Sequence, residues 1–178
     1  MTANLAQMRM LDSDDIQLLR YWRNLDHVRS RMVLGKLITR DEQRVWFDSL
    51  DPSSQHYFIY SLNGIDIGSV NLSNINIRGK SFEGGLLCGN QEYLGHWINV
   101  WAYLQVLNMA FGELKLEVAF ARVLNDNSGA INLNSSLGYK FLSSIEPNAS
   151  WYRLSKKNYE DSARGLQKLA SRFKPEQA

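Results

Sequence analysis

The chain has 178 residues, of which 44% are hydrophobic and 21% charged, with a formal net charge of +2. These proportions indicate one globular domain over residues 1–178 with room for a sizeable core. The single cysteine, Cys88, excludes an internal disulfide and fits a reducing, cytoplasmic setting; we expect it to be a small packing residue and not a nucleophile. The sequence shows no secretion leader and no apolar run of about 18 residues, so we expect no membrane span. The cysteine and three histidines lack metal-ligand spacing, and no metal is expected.

The N-terminal part predicts an edge strand followed by three helices. Residues 5–11 have the pattern of the strand, and the acidic run 12–15 begins the first helix, because carboxylates favour the positive end of the helix dipole. A second helix is predicted from Asp26 to about Val33. Thr39 and Glu42 form a capping box that begins the third helix.

A β-hairpin follows these helices and leads to a central strand. Residues 56–62 are rich in strand-forming side chains, and Asn63-Gly64 is the strongest hairpin signal in the chain. After the second strand, a polar turn over residues 74–80 leads to the central strand, which begins at Ser81.

The stretch from Glu83 to Tyr139 predicts a strand, a turn, a buried helix, a second strand and a second helix. The helix over residues 98–111 is almost wholly apolar, which places it against a sheet, and Gly112 is predicted to stop it. The first N–H groups of a helix are unpaired, so the turn around Gly95 is a candidate site for a pyrophosphate.

The last part of the chain alternates strands and helices. Residues 118–123 have the composition of a strand. Asn127 or Ser128 can cap the helix that follows, which ends with Gly138 in the left-handed conformation. The polar segment over residues 159–178 is expected to be a loosely packed helical tail. Together the elements predict an α+β fold.

Three motifs within this stretch carry a family resemblance. Residues 90–95, Asn-Gln-Glu-Tyr-Leu-Gly, look like a strand end ahead of a pyrophosphate loop, and residues 109–116 look like the end of a long helix. Residues 127–139 look like an Asn-x-x-(Ala/Ser)-Ile…Leu-Gly-(Phe/Tyr) element. In this order they resemble the GNAT N-acetyltransferase superfamily, in particular its branch of ribosomal-protein and sugar-nucleotide (pseudaminic-acid pathway type) aminoacetyltransferases. The resemblance implies a GNAT fold: a mixed, mostly antiparallel sheet flanked by helices, with one splayed pair of parallel strands.

The resemblance also implies acetyl-CoA as the donor, with pantetheine between the parallel strands and pyrophosphate on the turn. The implied donor-binding residues are Leu87, Cys88, Gly89, Leu94, Gly95, His96, Trp97, Ile98, Asn99, Val100, Asn127 and Asn134. The family has small residues at the positions of Trp97 and Asn99, and many members have a tyrosine acid at the position of Asn134. These departures keep a non-catalytic GNAT-fold binding module open as an alternative.

Acetyl transfer to an amine needs a polarised thioester carbonyl and a base for the amine's proton. Strand N–H groups near Leu87 and Gly89 are the candidates for the first task. Glu83 is the candidate catalytic base, because it begins the central strand beside the expected splay, and His56 is its rival. Asn134 is the second candidate catalytic residue, orienting the thiol end of the donor.

Seven of the chain's 20 basic residues lie between Arg20 and Arg44. Arginine forks suit phosphate, and aromatic rings in the same segment can stack on a base or a sugar. Residues 19–24, Leu-Arg-Tyr-Trp-Arg-Asn, are similar to the Trp-Arg-Asn run of the aminosugar branch, where these helices cover the acceptor. The predicted acceptor-binding residues are Trp22, Arg23, Asn24, Arg29, Arg31 and Met32.

The predicted function is acetyl-CoA-dependent N-acetylation of a primary amine by direct transfer in a ternary complex, with a nucleotide-linked amino sugar as the acceptor. The alternative enzyme is a protein N-terminal acetyltransferase of the ribosomal-protein type, which would need an acidic or open peptide groove. No RNA-binding motif is found in the sequence, so no nucleic-acid partner is expected. A homodimer is one possible assembly.

Overall fold

The structure is a computed structural model that describes residues 5–145 and 147–175. Within these residues, eight strands form one sheet: β1 (Leu5–Met10), β2 (His56–Leu62), β3 (Ile65–Asn76), β4 (Ser81–Cys88), β5 (Val118–Leu124), β6 (Lys140–Ile145), β7 (Ala149–Ser155) and β8 (Lys174–Pro175). Their order across the sheet is β6-β7-β5-β4-β3-β2-β1-β8. Two neighbouring pairs are parallel, β4 with β5 and β1 with β8, and the others are antiparallel. The mixed, mostly antiparallel sheet predicted from the sequence is confirmed.

The described part of the chain forms seven α-helices around the sheet: α1 (Ile16–Asn24), α2 (Asp26–Arg29), α3 (Arg40–Asp48), α4 (Trp97–Asn108), α5 (Ser128–Leu137), α6 (Lys156–Ser162) and α7 (Arg164–Ala170). A side chain on Gly84 would meet the Tyr103 hydroxyl of α4, and one on Gly89 would meet the Trp22 indole of α1. Because strand residues an odd number apart face opposite sides, α4 and α1 cover opposite faces of the sheet. Within the described ranges, no helix has the length and apolarity needed to cross a bilayer.

Several predicted boundaries are confirmed together with their local cause. The Thr39 hydroxyl accepts from the Glu42 N–H and the Glu42 carboxylate accepts from the Thr39 N–H, so the capping box begins α3. Asn63 and Gly64 have φ angles of 51° and 77°, as a tight hairpin between β2 and β3 requires. Gly138 ends α5 with a φ of 95°.

Three boundaries differ from the predictions. Helix α2 ends at Arg29 and not near Val33, because Val33 and Leu34 are exposed and no buried face stabilises a further turn. Strand β3 runs on to Asn76, into the predicted turn. Gly112 does not stop α4: it lies inside a π-helical turn, Met109–Glu113, and Lys115 is the residue with positive φ, 55°.

The C-terminal segment is not a loosely packed tail. Tyr159 of α6, Ala163 between α6 and α7, and Ala170 of α7 lie in the main core, and Phe173 joins them. Together they form the buried face of a segment that is mostly polar. The last three residues of the predicted tail, 176–178, lie outside the described residues.

Candidate active site

Strands β4 and β5 separate part of the way along their length. They pair in parallel only as far as Glu83 and Phe120, although β4 continues to Cys88 and β5 to Leu124. The gap forms a cleft of about 400 Å³, which we call the inter-strand cleft. The splay predicted from the sequence is confirmed. The residues of the cleft used below are Gly84, Leu86, Cys88, Leu94, Gly95, His96, Asn99, Val100, Tyr103, Asn127 and Asn134.

A second cavity, of about 350 Å³, lies between the first three helices and the sheet, and we call it the helix-side cavity. Its wall includes Arg23, His27, Arg31, Met32, Trp46, Tyr57, Ser69, Asn71, Leu87 and Cys88. Leu86 and Cys88 line both spaces, as do Arg31, Leu94 and Asn127. Two molecules that enter from the two sides can therefore meet beside the end of β4.

The turn before α4 presents free amide groups to the inter-strand cleft. Gly95 has a φ of 73°, and the His96 ring nitrogen Nδ1 accepts from the Ile98 N–H at 3.2 Å, which caps the helix. Among the described residues, the N–H groups of Gly95 and Trp97 have no hydrogen-bond acceptor. Unpaired amides at a helix N-terminus suit an anion, as the sequence predicts for this turn.

The two bulky residues of the turn do not fill the cleft. Trp97 is 44% exposed and lines neither space. Asn99 is buried: its Oδ1 accepts from the Tyr60 hydroxyl at 2.6 Å and its Nδ2 donates to the Tyr93 carbonyl at 2.7 Å. The Asn99 amide therefore ties the turn to the sheet, which explains a polar side chain where the family has a small one, and leaves the amide unavailable to a phosphate.

The amides that face the gap are not the ones predicted. The Gly89 N–H donates to the Ile67 carbonyl at 2.9 Å, so it points towards β3. Backbone groups alternate along a strand, so the Leu87 N–H points the same way and those of Leu86 and Cys88 point into the gap. The N–H groups of Leu87 and Gly89 therefore do not face the gap, and those of Leu86 and Cys88 do.

Two tyrosine hydroxyls form a pair beneath the cleft. The hydroxyls of Tyr103 and Tyr139 are 2.9 Å apart, and burial raises the pKa of Tyr103 to about 12. Tyr103 reaches this place because Gly84 has no side chain: a Cβ there would lie 2.7 Å from the hydroxyl. Asn134 also lines the cleft and is 5% exposed. The sequence analysis missed Tyr103, which lies among apolar residues of a buried helix and carries no motif.

Cys88 and His27 meet where the two spaces join. The Cys88 thiol donates to the Asn90 carbonyl at 3.3 Å, and burial raises the pKa of the Cys88 thiol, which keeps it neutral. His27 Nε2 is 3.3 Å from the Cys88 carbonyl oxygen. His27 was also missed; the available signal was its position inside the arginine-rich segment assigned to the acceptor.

The two predicted base candidates lie outside both spaces. Glu83 Oε1 accepts from Asn74 Nδ2 at 2.6 Å, and Glu83 lines neither wall, although it shares a strand face with Gly85. His56 Nε2 is 3.0 Å from the Pro52 carbonyl and also lines neither wall. In the described part of the chain, no group of three His, Cys, Asp or Glu side chains could hold a metal.

The structure divides the six predicted acceptor residues into two groups. Arg23, Arg31 and Met32 line the helix-side cavity. Arg31 Nη1 also donates to the Asp126 carbonyl at 3.0 Å, which joins the segment after α2 to the turn before α5.

The other three residues have structural contacts. Trp22 is 4% exposed and packs in a second core cluster, so its ring is not available to stack on a base. Asn24 bonds the N–H and carbonyl of Ile38 at 2.8 and 2.9 Å, which holds the loop after α2. Arg29 pairs with Asp26 at 2.7 Å and lines neither the helix-side cavity nor the inter-strand cleft.

The helix-side cavity is positively charged. The Arg23 guanidinium carbon lies 5.8 Å from the centre of the Trp46 ring, whose edge-on neighbour is Tyr57 at 4.9 Å. Burial lowers the pKa of Arg23, and its Nε has no hydrogen-bond partner among the described residues. The described residues of the wall include no Asp or Glu. A buried cation without a carboxylate partner is costly, so the cavity favours an anionic ligand.

Comparison with solved structures shows the same fold in other proteins. A domain from Methanocaldococcus jannaschii is 24% identical, with a TM-score of 0.78, over 85% of this chain and 99% of that one. A spermidine N-acetyltransferase from Vibrio cholerae, solved in complex with CoA and spermine, is 17% identical, with a TM-score of 0.73, over 87% and 98%. An uncharacterized protein from Bacillus halodurans is 19% identical, with a TM-score of 0.73, over 92% and 90%.

Sequence comparison gives the family directly. No curated protein sequence is significantly similar to the chain. The family model of the acetyltransferase (GNAT) domain matches residues 6–140, which include the inter-strand cleft, the helix-side cavity and the turn before α4. The chain therefore belongs to the GNAT acetyltransferase family.

Proposed function

We propose that this GNAT N-acetyltransferase acts on the primary amine of a small molecule that also carries an anionic group, in particular a nucleotide-linked amino sugar. Acetyl-CoA is the donor in this family and supplies an acetyl group activated as a thioester. The acceptor class is the part of the function that is proposed.

The inter-strand cleft fits the donor. The gap beyond Glu83 leaves strand edges that a pantetheine chain can follow, and the free amides of Gly95 and Trp97 suit its pyrophosphate. The N–H groups of Leu86 and Cys88 face the same gap, where they can donate to the carbonyl oxygen as negative charge develops on it. Trp97 lies outside the cleft, so its indole leaves the space open.

The observation that carries the acceptor proposal is the charge of the helix-side cavity. The Arg23 side chain is partly buried, its buried Nε has no partner in the described residues, and it faces no carboxylate on the wall. A phosphate or carboxylate of the acceptor would supply the missing partner through a charge-assisted hydrogen bond. Arg31 adds a second cation at the junction of the two spaces, where its Nη1 also lies 3.8 Å from the Asp126 carboxylate.

The other lining groups suit a sugar attached to that anion. Trp46 and Tyr57 form an aromatic wall beside Arg23. Ser69 and Asn71 offer hydroxyl and amide groups from β3 on the same cavity. An aromatic face with a few hydrogen-bonding groups is typical of small-molecule pockets.

The same charge disfavours the substrate class of one structural neighbour. The Vibrio cholerae enzyme is a spermidine N-acetyltransferase, and spermidine is a polycation. Two arginines and no carboxylate among the described residues of the wall would repel such a ligand. The peptide N-terminus of a protein acetyltransferase is the remaining alternative, and it becomes an outcome of the test below.

The test is a thiol-release assay with matched acceptors. We would compare an amino sugar linked to a nucleoside diphosphate, the same amino sugar without the nucleotide, spermidine, and short peptides with a free N-terminus. The nucleotide-linked sugar should show a kcat/KM at least about tenfold above the free sugar, because one ion pair lost is worth about 1.5–3 kcal/mol. Turnover of spermidine or peptides alone would refute the acceptor proposal and leave the acetyltransferase assignment intact.

Two further expectations from the sequence stay predictions. A cytoplasmic location is tested by cell fractionation, and a homodimer by light scattering of the purified chain.

A further inference from the structure

We propose that His27 takes the proton from the acceptor amine, in the place that the sequence analysis gave to Glu83. The inference rests on the proposed use of the helix-side cavity as the acceptor site. It concerns a residue that the sequence analysis did not select.

His27 lies close to both the helix-side cavity and the inter-strand cleft. His27 lines the helix-side cavity, and its Nε2 is 3.3 Å from the carbonyl oxygen of Cys88, which lines both spaces. The N–H and C=O of one strand residue point to the same side, so the Cys88 carbonyl lies on the edge of β4 that faces the gap. The imidazole therefore lies beside the junction of the two spaces, on the wall that the acceptor would touch.

The hydrogen bond to the Cys88 carbonyl determines the tautomer of the His27 ring. A carbonyl oxygen only accepts hydrogen bonds, so Nε2 of His27 donates to Cys88 and carries a proton. In the neutral ring the other nitrogen, Nδ1, then has a free lone pair. The contact with Cys88 both holds the ring at the junction and selects the tautomer that can accept a proton at Nδ1.

The other titratable side chains described on this wall are poor proton acceptors. The charged and titratable groups that share the wall with His27 are Arg23 of α1, Arg31 after α2, Tyr57 of β2 and Cys88 of β4. The arginines are cations, and burial raises the pKa values of the Tyr57 hydroxyl and the Cys88 thiol, which keeps both protonated. Among the described residues of this wall, the neutral His27 imidazole is therefore the titratable side chain that keeps a free nitrogen lone pair.

Glu83 is less well placed for this step. Its carboxylate accepts a 2.6 Å hydrogen bond from Asn74 and lines neither space. It could act only through water, whereas His27 lies on the wall that the acceptor would touch.

Acetyl transfer to the amine begins with the proton transfer to His27. The acceptor ammonium gives one proton to Nδ1 of His27, which frees the nitrogen lone pair. The nitrogen bonds to the acetyl carbon, the C–S bond breaks, and the nitrogen gives up a second proton that ends on the leaving sulfur. His27 returns its proton to solvent, so the products are an amide, a thiol and one proton.

The tautomer can be tested without any acceptor. Long-range ¹H–¹⁵N NMR spectra of the full chain resolve the ring nitrogens of the three histidines, and the His27→Gln variant assigns the His27 signals by their absence. We expect the Nε2–H tautomer with an unprotonated Nδ1 at a pH where the ring is neutral. An Nδ1–H tautomer would overturn the proposal.

The role in catalysis is tested with any primary amine that the acceptor panel shows to be turned over. His27→Gln should lower kcat by about 10²–10⁴-fold, the usual contribution of a general base, and remove the acid limb of the kcat/KM pH profile. Acetyl-CoA affinity measured by calorimetry should stay within about threefold, which separates lost chemistry from lost folding. His56→Gln is the matched control, because that histidine lines neither space.

Other outcomes of these experiments would reject the role of His27, assign it to Glu83 or reject the proposed acceptor. A His27→Gln enzyme that keeps kcat within about threefold and retains the acid limb would reject the role of His27. A Glu83→Gln variant that loses kcat while His27→Gln keeps it would return the role to Glu83. Failure of nucleotide-linked sugars with turnover of another amine would reject the proposed acceptor alone.

Discussion

Arg23 and Asn99 are polar residues in apolar surroundings, yet their neighbours give them different roles. Asn99 satisfies both ends of its amide with the Tyr60 hydroxyl and the Tyr93 carbonyl, so it stabilises the turn before α4. Arg23 has no such partner for its Nε among the described residues. A satisfied buried group supports the fold, and an unsatisfied one beside a cavity indicates a ligand.

Replacement of Arg23 tests that distinction at the level of one residue. Arg23→Ala should raise the acceptor KM for an anionic amine by about 10–100-fold, because the charge-assisted bond is lost, and change the acetyl-CoA KM much less. Arg23→Lys should restore only part of the affinity, since lysine keeps the charge without the planar fork.

Steady-state kinetics with both substrates varied gives the two constants separately. Arg44→Ala is the control, because Arg44 is exposed on α3 and lines neither space. Equal increases in both KM values for Arg23→Ala would contradict the role of Arg23 in acceptor binding.

Two C-terminal elements pack against the residues that border the inter-strand cleft. Helix α5 ends at Gly138, against the carbonyl of Asn158 in α6. Phe173, beyond α7, lies edge-on to the His96 ring at 6.0 Å between centroids, and His96 caps the helix that borders the cleft. The segment that looks like a polar tail therefore packs against the turn before α4.

Gly138→Ala should destabilise the chain by about 1–3 kcal/mol, the cost of a side chain in a left-handed conformation. The added Cβ would also lie 2.7 Å from the Asn158 carbonyl oxygen. Gly112→Ala is the matched control, because no atom lies within 4 Å of a Cβ there and its φ is not positive. Urea unfolding measures both, and equal stability of the two variants would contradict the strain at Gly138.

Phe173→Ala should lower the free energy of unfolding by about 3 kcal/mol through the cavity that it leaves. It should also weaken acetyl-CoA binding, because the ring that packs on His96 is removed. Thermal unfolding and calorimetry measure the two effects. Lys168→Ala, on the exposed side of α7, should change neither the free energy of unfolding nor the affinity for acetyl-CoA. Unchanged acetyl-CoA affinity in Phe173→Ala would contradict a role of the C-terminal segment in donor binding.

At the scale of the whole molecule, an ion pair joins the first strand to the first helix and to the hairpin. Arg9 of β1 bonds the buried Asp15 at 2.6 and 2.8 Å and reaches Asp66 of β3 at 3.2 Å. The bond from Arg9 lowers the pKa of Asp15 below its ordinary value, against the opposing effect of burial. The pair joins β1 to the start of α1 and to β3.

This pair predicts how stability depends on pH. The folded-state pKa of Asp15 is depressed, so its contribution is fully present above the unfolded value of about 4 and is lost as pH falls through the folded-state pKa. Asp15→Asn should destabilise the chain at pH 7 and flatten the acid side of the stability curve below about pH 4. Urea unfolding at several pH values tests this against Asp48→Asn, an exposed residue of α3; parallel curves for wild type and Asp15→Asn would contradict it.

Local chemistry in the sequence was enough for most of the elements. A capping box, an Asn-Gly hairpin and a glycine after a helix act within a few residues, so α3, the β2–β3 turn and the end of α5 follow from the order of residues alone. The splayed strand pair followed from the family resemblance, and the family and the geometry confirm it. The donor-binding residues that the resemblance implies stay a prediction.

Contacts between distant residues were decided only by the tertiary structure. His27 lies 61 positions from Cys88, and Arg31 lies 95 from Asp126, so no spacing rule links them. The same holds for the tail, whose few apolar residues become core only because α4 faces them, and for Trp22, which turns inward against Gly89. Burial and hydrogen-bond partners depend on which surfaces meet in three dimensions, and those properties separate a ligand-binding side chain from a structural one.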